Sequence, residues 1–210
     1  MFKEKKFTNI IDIRDRFEED FALSLKSQPY INEIYNEVFP IKNIIRFPKG
    51  DKKRHILDRE FHIDVNLELQ NGIKLTGQEK VLRERYSRFN TFTIEFYQNR
   101  HNYKVKKPDG TFLEPFEKGE FFNLGAQFYF HGYWDKQEMG LEKWYLIKMF
   151  DFLTWLRNKP IEELEKTTKP STSNASFYYK DYDDIPLEFI YAKYKDGRKM
   201  VTGNLFDISR

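Results

Sequence analysis

The chain has 210 residues, of which 40% are apolar and 33% charged, with 21 Phe, 13 Tyr and no Cys. This length fits one large domain with its own core, and the aromatic content argues against disorder. The missing cysteines exclude disulfides and thiolate metal sites, and a net charge of +3 excludes a globally basic nucleic-acid coat. No stretch approaches the roughly 20 apolar residues of a membrane helix, and MFKEKKF lacks the apolar run of a secretory signal. We therefore expect a cytoplasmic protein without a membrane partner.

The N-terminal part predicts two helices. Apolar residues recur at three- and four-residue steps over 7–27, and the same spacing resumes after Pro29 and continues to Pro40. Proline removes a helix hydrogen bond and clashes with the preceding turn, so Pro29 is expected to separate the two segments. We expect a helical pair over 1–40.

A hairpin follows and is the clearest feature of the chain. From Phe61 to Leu69 apolar residues alternate strictly with polar ones, the period of a strand with one buried face. Asn71-Gly72 ends this run with a strong hairpin signal, because both residues tolerate positive φ. The chain returns as the partner strand over 73–82.

Weaker patterns predict the other elements. They are a strand at 41–47, a basic loop at 48–55, strands at 91–98, 121–134, 143–149 and 177–179, a helix from Asp151 to Leu156, a helical turn at 161–166, a loop at 167–176, a turn of helix after Pro186 and a hairpin at Asp196-Gly197. The polar stretch 99–120 is predicted to be an inserted loop or small hairpin. This order indicates a single α+β domain, 1–210, in which 41–160 form the core and 161–210 an extension packed on it.

One face of the first strand carries polar residues that are unusual in strands, namely Asp58, His62, Asp64 and Asn66. The partner strand carries Gln78-Glu79-Lys80. Mg²⁺ binds carboxylate and carbonyl oxygens together with phosphate, and a nearby lysine can position a water and offset developing phosphate charge. The hairpin therefore predicts a metal site.

These residues resemble a known family. Leu57-Asp58-Arg59-Glu60-Phe61-His62-Ile63-Asp64, followed by Leu75-Thr76-Gly77-Gln78-Glu79-Lys80, resembles the PD-(D/E)XK nuclease superfamily, in the Gln-x-Lys variant of Mrr-like endonucleases. The resemblance implies a restriction-endonuclease-like core, with N-terminal helices and then a mostly antiparallel mixed sheet with flanking helices. It also implies phosphodiester hydrolysis with Mg²⁺ or Mn²⁺ on nucleic acid, with DNA as the expected substrate. A homodimer stays open.

The resemblance assigns roles to single residues. Asp64 would be the main metal ligand, Gln78 a second ligand through its amide oxygen, the backbone carbonyl of Glu79 a third, and Lys80 would position the attacking water. Secondary candidates for the site are Asp58, His62, Glu95 and, from the N-terminal helix, Glu33 or Glu37. Basic residues flanking the hairpin would contact phosphates, namely Lys52, Lys53, Arg54, Arg83, Arg85 and Arg88.

The strand register decides whether this assignment is possible. With a two-residue turn, Asp64 lies opposite Glu79, and Gln78 faces the other side of the sheet. If Gly72 forms a bulge, Asp64 lies opposite Gln78, and a bulge at Gly77 would also redirect the motif. The nuclease interpretation requires one of these irregularities.

Two plainer interpretations remain beside the nuclease. The polar face of the first strand is also typical of an antiparallel sheet with one solvated side. Gln78 brings no negative charge to a metal, which favours a catalytically inactive nucleic-acid-binding or protein-assembly domain with the same fold. His131 is interpreted as a polar residue tolerated within the aromatic segment 121–134.

Overall fold

The computed structural model describes residues 10–46, 57, 61–98, 105–106, 112–113, 117–137, 139–160, 163–164, 168–170 and 175–202. Within these ranges the α-helices are α1 (Ile10–Val38), α2 (Glu120–Asn123) and α3 (Met149–Arg157). The strands are β1 (Ile41–Arg46), β2 (Val65–Leu69), β3 (Lys74–Arg83), β4 (Thr91–Gln98), β5 (Val105–Lys106), β6 (Phe112–Leu113), β7 (Glu117–Lys118), β8 (Phe128–Asp135), β9 (Gly140–Lys148), β10 (Thr168–Pro170), β11 (Ala175–Asp181), β12 (Ile190–Lys195) and β13 (Arg198–Val201). Short 3₁₀ helices lie at Glu84–Phe89, Tyr182–Asp184 and Leu187–Phe189.

The described strands form a large mixed sheet in the order β1-β2-β3-β8-β9-β12-β13. Neighbours in it are antiparallel, except that β3 and β8 are parallel. A parallel pair needs a crossover connection, and the chain between these two strands contributes β4 and β7 to a second sheet, β10-β11-β4-β7. The predicted α+β class with a mostly antiparallel mixed sheet is therefore confirmed.

The large sheet is covered on both faces. On one face, α1 buries side chains against residues of β2, β8 and β9; on the helix these are Ile31, Ile34, Tyr35 and Val38. On the other face, the second sheet and α3 enclose an aromatic core that includes Phe92, Phe96, Tyr129, Tyr145 and Phe152. The candidate residues Gln78 and Lys80 lie on β3, an inner strand of this sheet, and Asp64 directly precedes β2.

The prediction of two N-terminal helices is wrong, because α1 runs through Pro29 without a break. A proline inside a helix costs about 3 kcal/mol, whereas each fully buried apolar side chain contributes about 1.5–3 kcal/mol. The residues after Pro29 include Ile31 and Ile34, which are almost completely buried. Their burial outweighs the cost of the proline, so the helix continues.

Two other predicted segments differ from the structure. The aromatic segment 121–134 is not one strand, since α2 occupies its start and β8 begins only at Phe128. The backbone of Gln127, just before β8, makes two hydrogen bonds. Its amide donates to the carbonyl of Thr76, and its carbonyl accepts from the amide of Met149. The loop predicted at 167–176 contains β10, whose Pro170 is tolerated because β10 lies at the edge of its sheet.

Several other predictions are confirmed. β5 pairs with β6 as the small hairpin predicted within 99–120, and β12 pairs with β13 around the predicted turn. In that turn Asp196 and Gly197 have φ values of 54° and 72°. The strand predicted at 91–98 exists as β4 and lies in the second sheet. The helical turn predicted at 161–166 lies mostly outside the described residues.

Candidate functional site

A three-residue turn joins β2 to β3 and sets the register of the hairpin. The amide of Leu69 donates to the carbonyl of Ile73 at 2.8 Å, and the amide of Gly72 donates to the carbonyl of Leu69 at 2.9 Å. Gly72 has a φ of 84°, a left-handed conformation that glycine adopts at little steric cost. The turn thus contains the glycine bulge that the sequence left open, and the two-residue turn is excluded.

A second irregularity lies where β2 begins. Val65 pairs with Gly77, and the amide of Asp64 donates to the carbonyl of the same Gly77 at 2.9 Å. Two consecutive residues on one side therefore face one residue of the partner strand, as in a β-bulge. The nuclease interpretation requires one irregularity in the hairpin, and the glycine bulge at Gly72 provides it.

Gly77 is required by the phenyl ring of Phe128 on the adjacent β8. A Cβ atom on Gly77 would lie 2.2 Å from two carbons of that ring. Phe128 belongs to the core beneath α1, so Gly77 faces the helix layer. Because side chains alternate along a strand, Gln78 and Lys80 face the opposite layer, and Gln78 pairs in register with Tyr129 of the aromatic core.

Gln78 places an amide oxygen in the interior between the two sheets. Its Oε1 is buried and accepts no hydrogen bond from any described residue. Leaving a buried acceptor unsatisfied costs about 1–3 kcal/mol, so this oxygen is suited to a water, a hydrogen-bond donor or a cation. Lys80 lies two residues further along the same face, with its Nζ 5.7 Å from the ring centroid of Phe177 on the second sheet.

Asp64 directly precedes β2 and lies beside β3. Its Oδ2 accepts a hydrogen bond of 3.0 Å from the backbone amide of Glu79. Burial is the main cause that raises the pKa of Tyr35 on α1 and of Tyr129 on β8. The negative charge of Asp64 is a smaller cause that raises both pKa values further. The carboxylate is therefore next to the middle of the Gln-x-Lys motif.

The side chain of Glu79 points away from Gln78 and forms a buried ion pair. Its Oε2 accepts from Arg46 Nε at 3.0 Å, and its Oε1 accepts from Arg46 Nη2 at 2.7 Å and from the Tyr35 hydroxyl at 3.0 Å. Burial lowers the pKa of Arg46, but the hydrogen bonds and charge of Glu79 raise it overall. The Glu79 carboxylate thus joins β3 to β1 and α1.

A second buried carboxylate, that of Glu120, lies beside His62. Glu120 Oε1 lies 4.0 Å from His62 Nδ1, and Glu120 Oε2 accepts from the amide of Glu95 at 3.3 Å. Burial raises the pKa of Tyr129, and the charges of Glu120, Asp64 and Glu95 raise it further. The Tyr129 hydroxyl is therefore protonated, and it is buried with no hydrogen-bond partner among the described residues.

Glu120 is the acidic residue that the sequence analysis missed. It is only 9% exposed and comes from the first residue of α2, a helix that the sequence pattern did not predict. The available signal was its position, directly before the uncharged aromatic segment 121–134. When the aromatic residues that follow are buried, the carboxylate directly before them is buried as well.

His131 is fully buried among aromatic rings, as expected for a polar residue within the aromatic segment. Burial lowers the pKa of its imidazole well below the usual value, and the charges of Lys80 and Lys143 lower it further. The ring is therefore neutral, and neither nitrogen has a hydrogen-bond partner among the described residues. Together with Gln78 Oε1 and the Tyr129 hydroxyl, it makes the interior polar at this depth.

The other predicted residues lie elsewhere. Glu37 forms an ion pair with Lys199 of β13, and Glu33 lines the same groove at the far side of the large sheet from β1 and β2. Arg83 pairs with Glu19 and Asp20 of α1. Asp58, Lys52, Lys53 and Arg54 lie outside the described residues, while Arg85 and Arg88 are exposed on the 3₁₀ helix that follows β3.

Within the described ranges, no group of three or more His, Asp or Glu side chains is close enough to hold a metal ion. The oxygen donors of the hairpin are the Asp64 carboxylate, the side-chain amide of Gln78 and the backbone carbonyls. Of the helices in the described part of the chain, none has the length and apolar character needed to cross a bilayer. Comparison of the chain with protein-family models found no match, and neither did comparisons with curated proteins and with solved structures.

Proposed function

We propose that this chain is a metal-dependent nuclease that hydrolyses phosphodiester bonds, with DNA as the substrate. The observation that carries the proposal is the bulged hairpin: it sets the Asp64 carboxylate against the Glu79 amide and directs Gln78 and Lys80 together into the polar interior. A regular two-residue turn would have separated these groups. The resemblance to PD-(D/E)XK nucleases gives the arrangement its proposed chemistry.

The donor atoms fit a hard divalent cation such as Mg²⁺ or Mn²⁺. Asp64 offers a carboxylate, Gln78 a neutral amide oxygen and Glu79 a backbone carbonyl, and hard cations prefer oxygen ligands. The buried Gln78 Oε1 without a donor among the described residues supports this fit, since a cation would satisfy it. When bound, the ion supplies Lewis-acid polarisation of the scissile phosphate.

Lys80 has the positioning role in the proposed reaction. Its ammonium group holds the attacking water by a hydrogen bond and offsets the negative charge that grows on the phosphoryl oxygens. The water oxygen forms a new bond to phosphorus while the bond to one ester oxygen breaks. One water proton leaves to solvent, and the leaving ester oxygen takes up a proton.

A second candidate function is favoured by the sparse acidic groups. The described residues contain no cluster of three ligating His, Asp or Glu side chains, and Glu79 is already used by Arg46. A domain that binds nucleic acid or another protein with this fold and without turnover would need no such cluster. Metal-dependent stabilisation separates this candidate from the nuclease.

The test uses the full chain with plasmid, single-stranded DNA and RNA, in Mg²⁺, Mn²⁺ or EDTA. We expect cleavage with metal, no cleavage in EDTA, and loss of cleavage in Lys80→Met. Lys74→Met is the matched control, because Lys74 lies on the same strand, is exposed and faces Glu68 across the hairpin. Absence of metal-dependent cleavage on all substrates, or full activity in Lys80→Met, would overturn the nuclease proposal.

A further inference from the structure

A short helix with a two-row surface follows the strand that carries Gln78 and Lys80. The 3₁₀ helix Glu84–Phe89 begins directly after β3. Side chains three residues apart eclipse in a 3₁₀ helix, and the rise is about 2.0 Å per residue. The sequence Glu-Arg-Tyr-Ser-Arg-Phe therefore aligns Arg85 with Arg88 in one row and Tyr86 with Phe89 in the next, with about 6 Å between members of a row.

Each arginine is coupled to the exposed ring next to it. The guanidinium carbon of Arg85 lies 4.9 Å from the ring centroid of Tyr86, and that of Arg88 lies 4.8 Å from the ring centroid of Phe89. Tyr86 is 38% exposed and Phe89 51% exposed. Neither ring belongs to the aromatic residues of the two cores. Both rings therefore form part of the surface, each next to a positive charge.

The backbone of this helix is fixed to the rest of the molecule. Lys143 Nζ donates to the carbonyl of Ser87 at 2.6 Å. Asn90, which ends the helix with a φ of 48°, donates from Nδ2 to Asp181 at 3.0 Å and to Asp183 at 3.2 Å. A ligand that stacks on the rings would therefore bind a surface whose backbone is already ordered, which lowers the entropic cost of binding.

We propose that the 3₁₀ helix Glu84–Phe89 is a binding surface for single-stranded nucleic acid. Bases stack on Tyr86 and Phe89, and the backbone phosphates lie against Arg85 and Arg88. Stacking on protein rings needs unstacked bases, so a duplex, whose bases stack on each other, gains only the phosphate contacts. Glu84 is the one acidic residue of the helix and leaves it with a net positive charge.

This inference rests on the proposed function, which gives nucleic acid as the substrate class. It narrows that class to single strands, whose bases are accessible. Glu84 lies four residues after Lys80 on an extended strand, which is roughly 13 Å at about 3.3 Å per residue. A strand held on the helix could therefore extend to the motif within a few nucleotides. Arg83 does not contribute, because it is paired with Glu19 and Asp20.

Fluorescence anisotropy in EDTA tests binding without turnover. The probes are labelled oligothymidine, oligouridine and a DNA duplex of equal length, at fixed salt. We expect the single strands to bind more tightly than the duplex, and both Tyr86→Leu and Phe89→Leu to weaken binding by about 5- to 150-fold, the range for loss of one base–ring stack. Phe89→Tyr keeps the ring and should bind as the unmodified chain does.

Phe150→Leu is the matched control, since Phe150 is 67% exposed on α3 and should leave the affinity unchanged. Because all these side chains are exposed, we expect each variant to fold. Melting temperatures equal to that of the unmodified chain will show that it does. The proposal is overturned if neither single strand binds, if the duplex binds as tightly, or if both ring-removing variants bind normally. Binding of the single strands without metal-dependent cleavage would refute the nuclease proposal alone. Cleavage together with normal binding by both Tyr86→Leu and Phe89→Leu would refute this surface alone.

Discussion

The Asp64 carboxylate is bound to the backbone of the neighbouring strand, with 3.0 Å between its Oδ2 and the amide nitrogen of Glu79. This bond needs only an acceptor oxygen at position 64 and no negative charge. Structure and proposed chemistry can therefore be separated at this residue, because asparagine keeps the acceptor and removes the charge.

Asp64→Asn should abolish metal binding and keep the fold. In the unmodified chain, saturating Mn²⁺ should raise the melting temperature, since a ligand at 100 times its Kd adds about 2.7 kcal/mol to the free energy of unfolding. The variant should melt near the unmodified temperature in EDTA and gain nothing from Mn²⁺, as measured by differential scanning calorimetry. An equal gain in both proteins would show that Asp64 is not a metal ligand.

Glu79→Gln should be strongly destabilising. The side chains of Arg46 and Glu79 are only 16% and 5% exposed, and removing one charge of a buried pair costs about 3–5 kcal/mol because the other stays buried. Urea denaturation measures this loss. Lys42→Ala, which breaks the exposed pair with Glu68, is the control and should change stability little; an equal effect of the two substitutions would contradict the prediction.

Gly77→Ala should destabilise the hairpin through Phe128. The added methyl group would meet the phenyl ring at 2.2 Å, and overpacking of this kind costs about 1–3 kcal/mol. Phe128→Leu in the same chain should relieve part of the clash, so the two substitutions together should cost less than the sum of their separate effects. Gly125→Ala is the control, since its new methyl would stay 3.4 Å from its nearest neighbour. Strict additivity would mean that the ring does not hold Gly77.

The hairpin could be predicted from sequence because its signals are local. Strict alternation predicted a strand over Phe61–Leu69, of which only Val65–Leu69 forms β2, and Asn71-Gly72 marked the place of the turn. The close packing of Gly77 against Phe128 has no such local signal. That contact crosses from β3 to β8, two strands far apart in the chain. Periodicity within one segment carries no information about it.

The missed features have the same cause. Pro29 was expected to end a helix, and only the burial of Ile31 and Ile34 against the sheet explains why it does not. Glu120 reaches the interior because α2 packs beside β4, at a site that no local pattern marks. Local patterns predicted most elements and the motif, whereas contacts between residues far apart in sequence determine which charged side chains lie together.

His131→Phe should make stability less dependent on pH on the acid side. The folded protein holds the pKa of His131 well below its usual value, first through burial and then through Lys80 and Lys143. Below about pH 6.5 the imidazole is therefore protonated in the unfolded chain and neutral in the folded chain. The free energy of unfolding then decreases by up to about 1.4 kcal/mol for each unit by which the pH is lowered, until the folded pKa is reached.

Phenylalanine has no such proton and fits a position surrounded by the rings of Phe92, Tyr129, Tyr133 and Tyr182. The variant should lose less stability than the unmodified chain between about pH 7.5 and pH 5, as urea denaturation at each pH would measure. The carboxylates titrate in both proteins and cancel in the difference between them. Parallel pH profiles would mean that the imidazole takes up its proton equally in the folded and unfolded states, against the burial that the structure gives it.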